Sequence, residues 1–172
     1  MSVYAAITRL LTAVSRWLAL LGGVLLLAVV AIVVLSVTGR NLVWIGLAPI
    51  PGDFELVQLS TALAIFCFLP WCQIQRAHVS VDILAPVLGK RLDAALSVLF
   101  NAMMTAATAF IAWRLSAGMG DYMLYGETTF ILRLPVWWGY AVCVPVAWFG
   151  ALVAAWTVVR SVVETTSAER PR

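Results

Sequence analysis

The stretch Trp17–Thr38, WLALLGGVLLLAVVAIVVLSVT, contains no charged residue. A helix rises 1.5 Å per residue, so about 20 apolar residues cross a hydrocarbon core about 30 Å thick, and this run is long enough. Inside the hydrocarbon every backbone polar group must be paired within the protein, which makes a lone run of this kind a helix. Three further runs are long and apolar, Phe54–Ile74 and Leu92–Trp113, each with one carboxylate next to its start, and Pro135–Val159, with no charge. The expectation is an all-α integral membrane protein with four transmembrane helices, forming one membrane domain over residues 1–172.

Composition agrees with a bilayer environment. Hydrophobic residues make up 63% of the 172 and charged residues 11%, against about a quarter charged in soluble domains. Mean hydropathy is +1.01. The net charge of +3 does not indicate nucleic acid, because the 11 Lys and Arg stand at segment ends and form no stripe that could follow phosphates. They read instead as a topology signal. Arg9, Arg16, Arg76, Lys90, Arg91, Arg160, Arg170 and Arg172 fall on one side of the four runs; only Arg40, Arg114 and Arg133 fall on the other. The positive-inside rule then places both termini and the middle loop in the cytoplasm. Trp17, Trp71, Trp113, Trp137, Trp138 and Trp156 mark the run ends, where an indole ring is buried while its N–H stays wet.

Ahead of the first run, YAAITRLLTAVSRW spaces Ile7, Leu10, Leu11 and Val14 helically with Arg9 and Arg16 among them, so residues 1–16 are expected to form a short interfacial helix. The first run is longer than a signal-peptide core, and no small-residue cleavage site closes it before Arg40, so it is expected to remain. Residues 160–172 read as a polar cytoplasmic tail.

Within the runs, Asn101, Thr105 and Thr108 follow i, i+4, i+7 spacing, and Ala147, Ala151 and Ala155 form a small-xxx-small series. Both patterns suit close helix packing in a membrane. Asp53 is placed to cap the second helix, and Glu55 lies in its first turn, where the helix dipole favours a carboxylate. Pro70 and Pro145 are expected to bend their helices or to force repair of the hydrogen-bond ladder.

No chemistry stands out. His78, Ser80 and Asp82 have the residue types of a hydrolase triad, but on an extended strand alternate residues stand about 6.6 Å apart, and on a helix Ser80 points away. One histidine cannot supply a two-His metal set, and Cys67, Cys72 and Cys143 form no C-x-x-C pair. No catalytic residue, metal or cofactor is expected, and the cysteines read as small apolar packers. Deep polar groups amount to little more than Asn101 and the threonines, which argues against an autonomous transport path. Two alternatives remain: a small self-sufficient four-helix exporter and, less favoured, a membrane thiol or quinone redox enzyme.

Several motifs together resemble the small membrane subunit, DctQ type, of tripartite ATP-independent periplasmic (TRAP) transporters. They are Arg40 in SVTGRN, the acidic start of GDFELVQLSTALAIF with Glu55, Arg76, His78 and Asp82 in QRAHVSVDIL, similar to the family's Arg-x-x-His-x-x-x-Asp pattern though with one residue rather than two between Arg76 and His78, and the aromatics after Pro135 in LPVWWGYAVCVP. The likeness runs from about residue 17 to 160. It implies a non-catalytic subunit in a bacterial inner membrane, surrounded by membrane lipids. This subunit would brace a larger, sodium-coupled DctM-type transport subunit and help dock a periplasmic binding protein that delivers organic-acid solutes. Arg40, Glu55, Arg76, His78 and Asp82 are the implied motif and partner-contact positions. Asp121 and Glu127, in the outer segment Ser116 to Arg133, are candidates for periplasmic docking.

Overall fold

The structure, a computed structural model, describes the backbone over residues 3–75 and 85–168 and the side chains over residues 3–75 and 95–163. Four helices make up nearly all of it: α1 (Val3–Asn41), α2 (Asp53–Ile74), α3 (Ala85–Tyr125) and α4 (Trp137–Ala168), with one 3-10 turn at Val43–Ile45. Each of the four contains a segment long and apolar enough to cross a membrane.

The segment before Trp17 is helical, and it continues into the first run without a break. α1 has 39 residues and no proline, giving a rod about 58 Å long, nearly twice the hydrocarbon thickness. One seam explains the continuity. Positions 15, 18, 22, 25, 29, 32, 36 and 39 alternate steps of three and four residues, and all are buried or half-buried. This is the repeat of a left-handed helix pair. Leu11 and Ser15 are buried on the same line as Gly22 and Ser36, so packing holds the early turns in register with the span.

Small residues let α2 approach. A Cβ on Gly22 would lie 3.1 Å from the Cys67 Cβ and 3.2 Å from the Ala64 carbonyl oxygen, so the two backbones meet at van der Waals distance there. Ser36, fourteen residues after Gly22, bonds Asp53, fourteen residues before Cys67. The antiparallel register is therefore constant over four turns.

α1 packs against α2, α2 against α4, and α4 against α3. The helices thus form an open row, α1–α2–α4–α3, with α2 and α4 parallel to each other in the middle. In their most apolar stretches 39% of α4 and 22% of α2 is buried, against 11% of α1 and 6% of α3, so the middle pair makes most of the internal packing. Pro70 is buried in α2 and Pro145 lies within α4, and both helices run through them.

Some expectations need adjustment. Residues 160–168, expected to belong to a polar tail, continue α4 as far as Ala168. Ala147 and Ala151 are buried on α4, but Ala155 is exposed and Ala154 is buried instead. A helix turns 100° per residue, so eight steps drift about 80° from the starting face while seven drift only about 20°. The outer segment from Ser116 is also helical as far as Tyr125. The extension of α3 is held by α4: the Tyr122 and Tyr140 rings stack at 5.0 Å and Trp148 Nε1 donates to the Ser116 hydroxyl at 3.1 Å. Gly126, at φ +63, then ends the helix, the left-handed position that glycine takes without a Cβ penalty.

Candidate functional site

The end of the row that carries residues 42–52 and 126–136 is closed by two carboxylates. Asp53 does not cap α2 with its side chain. Gly52 occupies the cap position at φ +74, and its carbonyl accepts the Leu56 N–H at 3.1 Å. Asp53 works between helices instead. Its Oδ2 accepts the Ser36 hydroxyl at 2.5 Å and faces the Arg40 guanidinium at 3.8 Å, while Oδ1 accepts the Phe54 N–H at 2.8 Å. Arg40 is 67% exposed, so the neutral hydroxyl bond carries more of the joint than the screened ion pair.

Two residues on, and therefore on another face of α2, Glu55 reaches across to the α3–α4 connection. Its Oε1 accepts the Ile131 N–H at 2.7 Å and its Oε2 the Leu132 N–H at 3.0 Å. These are charge-assisted bonds to successive backbone donors, an anion held in a backbone nest. The segment they grip is a small hairpin. Thr129 N–H donates to the Leu134 carbonyl at 2.9 Å, Val136 N–H donates to the Glu127 carbonyl at 3.0 Å, and the Thr129 hydroxyl accepts the Leu134 N–H at 3.0 Å. Arg133 turns the chain at φ +52, a left-handed position for a non-glycine residue that the surrounding bonds must hold. A side chain at Gly52 would run into Leu132. Gly52, Glu55 and the hairpin therefore form one unit, which presents Phe130, fully exposed, at its tip.

Toward the opposite end, three helices meet in a polar knot. Gln73 Nε2 donates to Thr157 Oγ1 at 2.8 Å and to Asn101 Oδ1 at 3.1 Å. Asn101 Nδ2 donates to Ser161 Oγ at 3.0 Å and to its own helix at Ser97. α2, α3 and α4 are joined through four side chains, the kind of interhelical bonding that polar groups in lipid favour. Gln73 Oε1 and, at the same level of the α1 seam, Ser15 Oγ are buried without a partner.

The sequence candidates are distributed among these features. Arg40 and Glu55 lie within a few residues of the same α1–α2 corner, Arg40 paired with Asp53 and Glu55 with the hairpin. Asn101 is in the knot, whereas Thr105 and Thr108 donate to carbonyls of their own helix. Asp121 and Glu127 are exposed at the hairpin end, on α3 and at the hairpin's start. Arg76, His78 and Asp82 lie outside the described residues. Ser36, Gln73, Thr157 and Ser161 were missed. Thr157 and Ser161 share an i, i+4 spacing on α4, the same signal that marks Asn101 and Thr105, but Ser161 falls past Val159, where the apolar run ends. Cys67 and Cys143 are buried free thiols and Cys72 is a half-buried one. Among the described residues no group of three or more His, Cys, Asp or Glu comes together.

Four apolar crossings locked at both ends by polar contacts define a multi-pass helical membrane protein. The DctQ component of tripartite ATP-independent periplasmic transporters matches the chain over residues 29–166. The match spans most of the sequence, and the chain belongs to this family, as a small membrane component of a TRAP transporter. Comparisons with curated proteins and with solved structures returned no match.

Proposed function

We propose that this chain is a non-catalytic brace for a larger DctM-type transport subunit in a bacterial inner membrane, and that its hairpin end helps receive a periplasmic substrate-binding protein. Uptake is sodium-coupled symport of organic-acid solutes in this reading, and the chain's two termini lie in the cytoplasm. The observation that carries it is the open row. α1 and α3 stand at opposite edges, separated by α2 and α4, so among the described residues the four helices wrap no common interior through which a solute could pass. They do offer long apolar flanks to a neighbour.

The roles divide by end. Asp53 and Glu55 stiffen the hairpin end, where Asp121 and Glu127 supply negative charge for docking. Arg76, His78 and Asp82 contact the large subunit from the cytoplasmic edge.

Reconstitution tests the reading. Proteoliposomes containing this chain, a DctM-type large subunit that co-purifies with it and the binding protein should take up solute along an inward sodium gradient, and omission of this chain should abolish uptake. Transport by this chain alone would refute the brace and favour the exporter.

A further inference from the structure

The start of α1 carries a feature that neither the brace nor the docking role uses. A surface groove of about 580 Å³ runs along Thr8, Arg9, Thr12, Arg16, Trp17 and Leu20. Arg9, Thr12, Arg16 and Leu20 recur at three- and four-residue steps, so they form one stripe, on a different face of α1 from the seam through Leu11, Ser15 and Gly22. Arg16 is exposed and forms no ion pair among the described residues. Trp17 is 72% exposed and begins the uncharged run, the level at which indole rings and headgroups meet hydrocarbon. Thr8 anchors one edge: its hydroxyl accepts Trp156 Nε1 at 3.3 Å, and the Tyr4 and Trp156 rings pack at 5.3 Å. Past Leu20 the exposed surface continues as Leu21, Val24 and Leu27.

We propose that this groove binds an anionic phospholipid, with its phosphates at Arg9 and Arg16 and one acyl chain along Leu20, Val24 and Leu27. The charge is complementary, and basic grooves at this depth suit anionic headgroups. Seven helical residues separate the two guanidinium-bearing positions by about 10 Å along the axis, which fits a headgroup with two phosphates better than one with a single phosphate. Residue composition alone is not the basis. Arg114 sits 5.8 Å over Trp113 at the other end of the row without lining this groove, and it serves as the control.

Native mass spectrometry of the purified full chain tests this, in detergent supplemented with equal amounts of cardiolipin, phosphatidylglycerol and phosphatidylcholine. The expected result is preferential retention of cardiolipin, reduced roughly tenfold or more in the Arg9→Gln/Arg16→Gln double variant. The Arg16→Lys and Arg114→Gln variants should retain it, and unchanged elution and helicity would show that the double variant is folded. Equal retention of phosphatidylcholine, or an equal loss in Arg114→Gln, would overturn the site. So would a complex with the large subunit, isolated from native membranes, that carried no anionic lipid dependent on Arg9 and Arg16, since a protein surface would then fill the groove.

Discussion

The Glu55 carboxylate accepts the Ile131 N–H at 2.7 Å across seventy-six residues of chain, tying the first turn of α2 to the hairpin between α3 and α4. One side chain thus fixes the shape of a connection that belongs to two other helices.

Glu55→Ala removes both backbone bonds while leaving the four helices packed. Amide exchange at Ile131 and Leu132 should accelerate by at least about tenfold, with α4 protection unchanged, because the hairpin opens locally. Glu55→Gln keeps the shape and loses the charge assistance, so an intermediate effect is expected. Hydrogen-exchange mass spectrometry of the purified chain reads both.

Half-buried Asn101 in the polar knot and buried Ser15 on the α1 seam should respond in opposite ways to truncation. Asn101→Ala removes one of the two acceptors of the Gln73 amide and the donor to Ser161, leaving Gln73 its bond to Thr157, and should destabilise the detergent-solubilised fold by about 1–2 kcal/mol. The double variant Gln73→Leu/Asn101→Leu should lose less than the sum of its parts. Ser15→Ala removes a hydroxyl that already lacks a partner and should be neutral or stabilising. Thermal unfolding followed by circular dichroism separates the cases.

Adjacent glycines should respond differently. Gly22→Val forces bulk against Cys67 and the Ala64 carbonyl and should cost about 1–3 kcal/mol by overpacking. A Cβ on Gly23 meets nothing within 4 Å, and Gly23→Val should change stability little. Equal melting shifts in the two variants would contradict the seam.

Docking at the hairpin end predicts a charge effect. Asp121→Lys and Glu127→Lys should weaken capture of the binding protein at low salt, and the difference should fade as ionic strength rises past the screening range. Uptake measured over a range of salt concentrations checks this.

Hydropathy made the four crossings legible because length and a near-absence of charge, confined to Glu55 and Asp93 at run starts, suffice to specify a span. Helix ends were harder. α3 outlasts Arg114 since Gly118 and Tyr122 pack on Tyr140, a tertiary contact that no local pattern announces. Ala155 was chosen by counting in fours, and the true 3.6-residue turn moves burial to Ala154. Glu55 was read as a dipole partner because its real partners lie far along the chain. Asn101 was visible as a lone amide in an apolar run, but its connection to Gln73 depends on helix order, which hydropathy does not encode.

The open row also changes what counts as this protein's solvent. Side chains along α1 and α3 rest mainly against whatever lies outside the chain, so bilayer thickness and acyl packing enter its folding equilibrium as directly as a core residue enters that of a soluble domain. Exchanging the lipid should therefore act on this chain much as a set of mutations would.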